Sequence, residues 1–406
     1  MMRLPPQHWM SAPPTRRLME ALGKARFVGG AIRNTLLGKP IIDIDIATPL
    51  VPDEVGKRLA ADGIAFVPTG IEHGTITAIV EGKPFEVTTL RRDVTTDGRH
   101  AVVAVTEDWR LDAQRRDFTM NALYADASGE VFDFVGGIED LKAGRVRFVG
   151  DAVTRIREDY LRILRLFRFH AWYGKGEIDA EALRAAAAEK DGIARLSCER
   201  VAKEMLRLLE AENPAPVLRP MMASGILAAV LPGEANIARL ESLAKIDAVY
   251  SFAPDALLRL AALLPQDKTL AGQVADRWKL SNQARERLVD IAGASERIGP
   301  DLSVREARKL LYRLGVWPFK DRVFLKWAED TKAADPWRAL LALADGWKRP
   351  RFPLSGREVM LAGVPQGPLV GRVLDEVEVW WIDNDFTDDT LSLAERLKAV
   401  VRAVAR

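Results

Sequence analysis

The sequence predicts an α+β head built on a mixed β-sheet with flanking helices, followed by an all-α remainder. Three observations carry that division. Between residues 26 and 150, short apolar and β-branched runs alternate with turn residues. Beyond 150, segment after segment repeats its apolar residues at helical spacing. Seven of the ten tryptophans fall between Trp278 and Trp381, where helices would pack on them. At roughly 100–200 residues per domain, a length of 406 residues admits two to four domains.

The elements follow in order. Arg26–Gly30 is a short apolar strand running into two glycines, and Pro40–Thr48 is an Ile-rich second strand. Val51–Asp62 has helical spacing. Gly74–Val80 and Pro84–Leu90 read as two strands joined by the hairpin signal Glu81-Gly82-Lys83. Arg91–Arg110 is a polar stretch with one short strand, Val102–Thr106, and otherwise reads as a long loop. Arg116–Tyr124 reads as a helix start before the turn cluster Asp126–Gly129. Helical periodicity then marks Val153–Trp172, Asp179–Glu189, Arg200–Glu212, Asn236–Leu243, Ala256–Leu264 and Gln283–Ile298. Arg349–Leu369 is irregular, and Leu391–Ala405 is the last helix.

Composition narrows the function. Lys plus Arg total 59 against 57 Asp plus Glu, so the chain is not basic overall, although charge can still be segregated along it. A single Cys permits neither an internal disulfide nor a Cys-based metal site, which fits a reducing, cytoplasmic setting. The N-terminus has no apolar region of signal-peptide length, and no apolar run approaches the ~18 residues of a membrane span, so no membrane partner is expected. There are four His and no His-Asp dipeptide, which speaks against a three-His zinc site and an HD-type phosphohydrolase.

Several groups can carry chemistry. Asp43 and Asp45 lie in Ile41-Ile42-Asp43-Ile44-Asp45-Ile46. On a strand, i and i+2 share a face at roughly 6–7 Å, and two carboxylates so placed repel unless a cation stands between them. Mg²⁺ suits such a pair, because it takes carboxylates together with substrate phosphates. A solvated edge strand is the alternative. Glu86 becomes a third carboxylate if its strand neighbours that of the aspartates, and can then support a metal or accept a proton. Gly29-Gly30 precedes Arg33 at a strand-to-helix junction, where backbone N–H groups and a guanidinium can meet a phosphate; a tight turn accounts for the glycines equally. Neither a dinucleotide fingerprint nor a P-loop is present, which removes a nicotinamide-binding enzyme. Arg116 and Asp117 can reach a triphosphate and a ribose hydroxyl, or simply cap a helix. In Glu158–Phe169, taken as one helix, Arg162, Arg165 and Arg168 step along one face with Asp159 at its margin, opposite Ile163, Leu164 and Phe167. Between Arg145 and Arg168 there are seven Arg against three acids. An Asp159–Arg162 pair would accept from the exocyclic amino group and donate to the ring nitrogen of C or A, and reject U and G.

VGGAIRNTLLGKPIIDIDIAT, FEVTTLR, RRDFTMNALYAD, EDYLRILRLFRF and LSCERVAKEML, in that order over residues 28–206, resemble the five motifs of the class II tRNA nucleotidyltransferase and bacterial poly(A) polymerase family, most of all its bacterial CCA-adding branch. The resemblance implies a nucleotidyltransferase head (1–150), a helical neck with a nucleotide-reading helix (151–215), a helical body (216–348) and a tRNA-binding tail (349–406). It implies template-independent addition of C, C and A to the tRNA 3′ end from CTP and ATP by two-Mg²⁺ nucleotidyl transfer. A poly(A) polymerase or an enzyme adding only the terminal A remains the alternative, and an RNA-binding protein with an inactive head the rival from another class. By the same resemblance Asp43 and Asp45 would bind the two Mg²⁺ ions, with Glu86, read from its strand position, as the third catalytic carboxylate. The resemblance has Gly30 and Arg33 hold the triphosphate and Arg116 contact the nucleotide, to which the residue reading adds Gly29 and Asp117, and it has Asp159 and Arg162 read the base beside Arg165 and Arg168. Arg91–Arg110 would correspond to the flexible element that switches C to A addition. Ser197, Glu199 and Arg200 match the fifth motif, which supports the neck. The family usually has Arg-Asp where this chain has Arg33-Asn34, so one supporting charge is missing. No HD phosphohydrolase domain is expected.

Overall fold

The structure is a computed structural model that describes residues 2–70, 74–97 and 100–404; at 93–97 and 100–103 only the backbone is described. The chain divides into two compact units. One is Met1–Gly233 with Pro254–Ala256 and Asp276–Leu280; the other comprises Glu234–Ala253, Leu257–Ala275 and Ser281–Arg406.

The first unit contains the strands. Among the described residues these are β1 (Met2–Arg3), β2 (Arg26–Val28), β3 (Asp45–Thr48), β4 (Ala65–Gly70), β5 (Thr75–Val80), β6 (Lys83–Thr89), β7 (Arg91–Asp97), β8 (His100–Val105), β9 (Leu123–Ala125) and β10 (Glu130–Asp133). Eight form one sheet in the order β1-β10-β9-β2-β3-β6-β5-β4, and β7 with β8 form a separate hairpin. The sheet is mixed as expected: β3 runs parallel to β6, while β2 is antiparallel to β3 and β9. Burial on β6 alternates, with Phe85, Val87 and Thr89 inside and Glu86 exposed between them, as a two-residue period requires.

Four local expectations are corrected. The second strand starts at Asp45, not Pro40. Its partner β2 is three residues long, and the pair Val28–Asp45 is the last before the chain turns at Gly29, so residues 40–44 have nothing to pair with on that side. Arg116–Tyr124 is not a helix start: a single 3₁₀ turn, Thr119–Asn121, leads into β9, whose three residues are all buried between β2 and β10. The polar stretch after Leu90 is largely a hairpin, its two strands paired from Arg91–Val105 to Asp97–His100; Gly98 and Arg99 lie outside the described residues. The irregular 349–369 segment contains a helix, Gly356–Leu361, started by a Ser355/Glu358 capping box.

The predicted Val153–Trp172 helix is two helices, Ala152–Glu158 and Leu161–Tyr173. Asp159 between them is extended (φ −155°, ψ 105°), and its carboxylate accepts the Leu161 N–H at 3.1 Å. The side chain thus satisfies a backbone donor at the start of the new helix, which competes with continuing the old one. Apolar residues of Leu161–Tyr173 are buried as the periodicity foretold, Ile163, Leu164 and Phe167 among them.

The second unit is helical. Trp327 and Trp337 are fully buried within it, whereas Trp317 is 71% exposed. Tyr312, on Val304–Leu314, joins Val359, Val373, Val377, Trp381 and Val400 in a C-terminal core. Among the described residues, no helix is long and apolar enough to cross a membrane.

Gly29 makes the turn that separates the glycine pair from β2. Its φ of 70° with ψ of −116° is open to glycine and strained for an L-residue, whereas Gly30 already belongs to the helix Gly30–Leu36. Gly29→Ala is expected to lower the unfolding free energy by about 1–3 kcal/mol in urea titrations, and Gly30→Ala by far less; equal losses would remove the conformational argument.

Candidate active site

A cavity of about 1000 Å³ opens in the first unit where β2 ends and β3 and β6 begin, beside the Leu161–Tyr173 and Cys198–Leu209 helices. One wall is acidic. Asp45 lies directly opposite Glu86 in the parallel β3–β6 register, and Asp43 precedes it in irregular chain; all three line the cavity. The condition on which Glu86 could join the aspartates, adjacency of the two strands, is met. Burial, then the charges of Glu86 and Asp43, push the Asp45 carboxyl above its ordinary value. Asp43 and Asp45 have the oxygen chemistry that Mg²⁺ prefers, and two carboxylates suffice when substrate phosphates supply further ligands. In their present positions the three do not converge: among the described residues, no group of three His, Cys, Asp or Glu side chains is placed to hold a metal ion by itself.

The facing wall is basic. Arg33 is 7% exposed and among the described residues bonds neutral groups: the Asn121 Oδ1, the Asn34 Oδ1 at 3.1 and 3.2 Å, and the Tyr173 hydroxyl at 2.9 Å. Its guanidinium also lies 4.1 Å from the Tyr173 ring centroid. Asn34 therefore orients Arg33 without offsetting its charge, and burial lowers the Arg33 pKa. Arg116 donates to the Tyr124 hydroxyl and to Asp112, both at 3.0 Å, and the hydroxyl in turn donates to Asp112 at 2.6 Å. Asp112 also accepts the Arg91 N–H at 3.1 Å, tying the foot of the hairpin to the same carboxylate. Burial alone would raise the Asp112 carboxyl, but Arg116 and Arg115 outweigh it and hold it down to about 2. Asp117 behaves alike. One oxygen accepts from the Phe118 N–H and Asn121, the other takes Arg165, and its pKa falls to about 2 against the cost of burial. It serves Arg165 rather than standing free for a ribose. Arg165 and Arg168 both reach the cavity, and both pair with the buried Glu204, at 3.7 and 2.5 Å.

Gly29, Gly30, Arg33, Asp43, Asp45, Glu86, Arg116, Asp117, Arg165 and Arg168 are therefore brought together. Asp159 and Arg162 are not among the lining residues. Because the helix breaks at Asp159, that residue does not share a helical face with the arginine ladder as expected. It pairs with Arg200 at 2.6 Å, while Arg162 is bound to Glu158. Of the fifth motif, Ser197 precedes its helix, and Glu199 pairs with Lys279 at 2.6 Å. Sequence reasoning passed over Asp112, Asn121, Tyr173, Lys203 and Glu204. No spacing rule joins residues so far apart, although Asn121 lies within the third motif and Lys203 and Glu204 within the fifth.

Residues 25–147 match the family described as the Poly A polymerase head domain, and residues 177–237 the one described as the probable RNA and SrmB-binding site of polymerase A. The CCA tRNA nucleotidyltransferase 1, mitochondrial, of Mus musculus is 34% identical over 387 residues, covering 92% of this chain and 86% of that protein. A CCA-adding enzyme of Streptococcus gordonii is 30% identical over 397 residues, covering 97% and 98%. The crystal structure of the Bacillus stearothermophilus CCA-adding enzyme in complex with CTP resembles this one with a TM-score of 0.76 at 28% identity, covering 97% and 98% of the two chains.

The depressed carboxyls of Asp112 and Asp117 link stability to acid. Each is ionised in the fold down to about pH 2 but takes up a proton near pH 4 when unfolded. Their contribution, on the order of 2 kcal/mol each, is whole above about pH 5 and lost as pH falls from about 4 to 2. Urea midpoints are expected to drop steeply below about pH 4, less steeply in Asp112→Asn. An unaltered acid limb in that variant would remove the linkage.

Proposed function

The chain belongs to the family of CCA-adding tRNA nucleotidyltransferases, and on that footing we propose that it adds C, C and A to the 3′ end of tRNA, using CTP and ATP and no nucleic-acid template. The observation that carries the reading is the single cavity with Asp43, Asp45 and Glu86 on one wall and Arg33, Arg116, Arg165 and Arg168 on the other. Polyphosphate needs cationic donors, and the bond-making oxygen needs a place to lose its proton.

Asp43 and Asp45 are the residues that would hold Mg²⁺. When bound there, the ion supplies positive charge against the phosphate oxygens and lowers the pKa of the attacking hydroxyl. The tRNA 3′ oxygen bonds to the α-phosphorus, the bond to the β-phosphate oxygen breaks, and pyrophosphate leaves. Glu86 stands beside Asp45 to take up the hydroxyl proton or to complete the ligand set. Arg33 meets the triphosphate from among neutral hydrogen-bond partners, and Arg116, Arg165 and Arg168 meet it in orientations set by Asp112, Asp117 and Glu204. Glycines 29 and 30 let the backbone approach the same phosphates. Asp159 and Arg162 read C or A once Asp159 releases Arg200 and Arg162 releases Glu158. In this reading 1–150 is the head, 151–215 the neck, 216–348 the body and 349–406 a tail that binds tRNA. One cysteine in 406 residues fits a reducing, cytoplasmic setting.

With Mg²⁺, CTP and ATP, tRNAs ending before CCA, after C and after CC are all expected to be completed to CCA, as read by sequencing the 3′ ends. Long A tracts would indicate a poly(A) polymerase, and extension of CC ends alone an A-adding enzyme. Asp43→Ala is expected to reduce incorporation about a thousand-fold with thermal unfolding little changed, and near-normal turnover would sink the metal assignment.

Asp159→Ala is expected to relax discrimination against UTP and GTP while CTP affinity falls by less. Unchanged nucleotide choice in competition assays would refute the base-reading role.

A further inference from the structure

Charge on the basic wall is unevenly available. Arg116, Arg165 and Arg168 each have a carboxylate partner. Lys203 lines the same cavity from the middle of Cys198–Leu209, is exposed, and among the described residues has no hydrogen bond or ion pair. Its placement follows from its neighbour. Glu204 is buried and takes Arg168 at 2.5 Å and Arg165 at 3.7 Å, so the helix cannot rotate without breaking a buried ion pair. The residue one position earlier is thereby held at the cavity wall. The acid that would normally quench a lysine on its own helix, Glu199 four residues back, is already given to Lys279 at 2.6 Å. The residue four ahead is Arg207.

We propose that Lys203 is a further binding residue for the triphosphate of the incoming nucleotide, contributed by a helix that the sequence reading treats only as support. The inference rests on the nucleotidyltransferase reading of the cavity. A flexible ammonium suits it: lysine acts on phosphate as a movable point charge, complementing arginine forks that are already fixed. The cavity, about 1000 Å³ in volume, has room for an anion beside Lys203.

The test titrates the full-length protein with CTP, cytidine and inorganic tripolyphosphate by calorimetry, in wild type, Lys203→Gln and Lys203→Arg. In the Gln variant CTP and tripolyphosphate are expected to weaken by the same about three- to ten-fold, with cytidine unchanged and the Arg variant largely restored. In turnover KM for CTP and for ATP should rise together, with kcat and KM for tRNA unchanged. Unchanged tripolyphosphate affinity in Lys203→Gln overturns the proposal. So does a rise confined to KM for tRNA with a shallower salt dependence, which would place Lys203 on the RNA backbone. The titrations need no tRNA. A wild-type protein that binds tripolyphosphate through Lys203 yet adds no CCA would therefore refute the function while leaving the site standing.

Discussion

The cavity depends on one chain of ion pairs, Asp117–Arg165–Glu204–Arg168. Asp117 lies just ahead of the 3₁₀ turn that leads into β9; the arginines are on Leu161–Tyr173 and Glu204 is on Cys198–Leu209. Three separate pieces of chain are thus tied by groups that cannot be buried singly. Removing Glu204 would leave the Arg168 guanidinium in low dielectric without its carboxylate partner, a loss of several kcal/mol, whereas Arg165 bridges the two acids. The same pairs decide where the arginines point. A side chain with many rotamers is reduced to one before any ligand arrives, so less ordering remains for binding to complete.

The acidic wall is built on the opposite principle. Asp45 and Glu86 are opposed by the register of β3 and β6, and no guanidinium pairs with Asp43, Asp45 or Glu86 among the described residues. Burial and mutual repulsion raise Asp45, whereas Arg116 and Arg165 depress Asp112 and Asp117. Carboxylates of the same kind within one unit therefore play two parts. Those neutralised by arginine hold the architecture, and those left facing one another have a deficit that a cation would relieve.

Much of this was legible because motif residues encode local geometry. The Gly29-Gly30 junction, the apolar stripe of Ile163, Leu164 and Phe167, and the alternation around Glu86 each follow from a backbone period or a steric rule. What failed did so where local and distant forces compete. Helical periodicity continues through Asp159, yet its carboxylate takes the Leu161 N–H and its other oxygen takes Arg200, and the helix breaks. The polar run after Leu90 has little alternation, yet it pairs with itself as a hairpin whose foot is held by Asp112. Tyr173 and Asn121 become partners of Arg33 across 140 and 88 residues of sequence, a separation that no periodicity can announce.

The amino-acid sequence by itself determined the mixed head, the helical remainder, the family and ten of the nineteen residues that line the cavity, because these rest on short-range patterns and on motifs in fixed order. Only the tertiary structure decided how the charges are distributed among them. It paired Arg116, Arg165 and Arg168 with Asp112, Asp117 and Glu204, left Arg33 among neutral acceptors, turned Asp159 toward Arg200, and left Lys203 open to the cavity. The physical reason is range. Side-chain periodicity acts over a few residues of chain, whereas the availability of a charge is set by whatever the fold brings within a few ångströms of it.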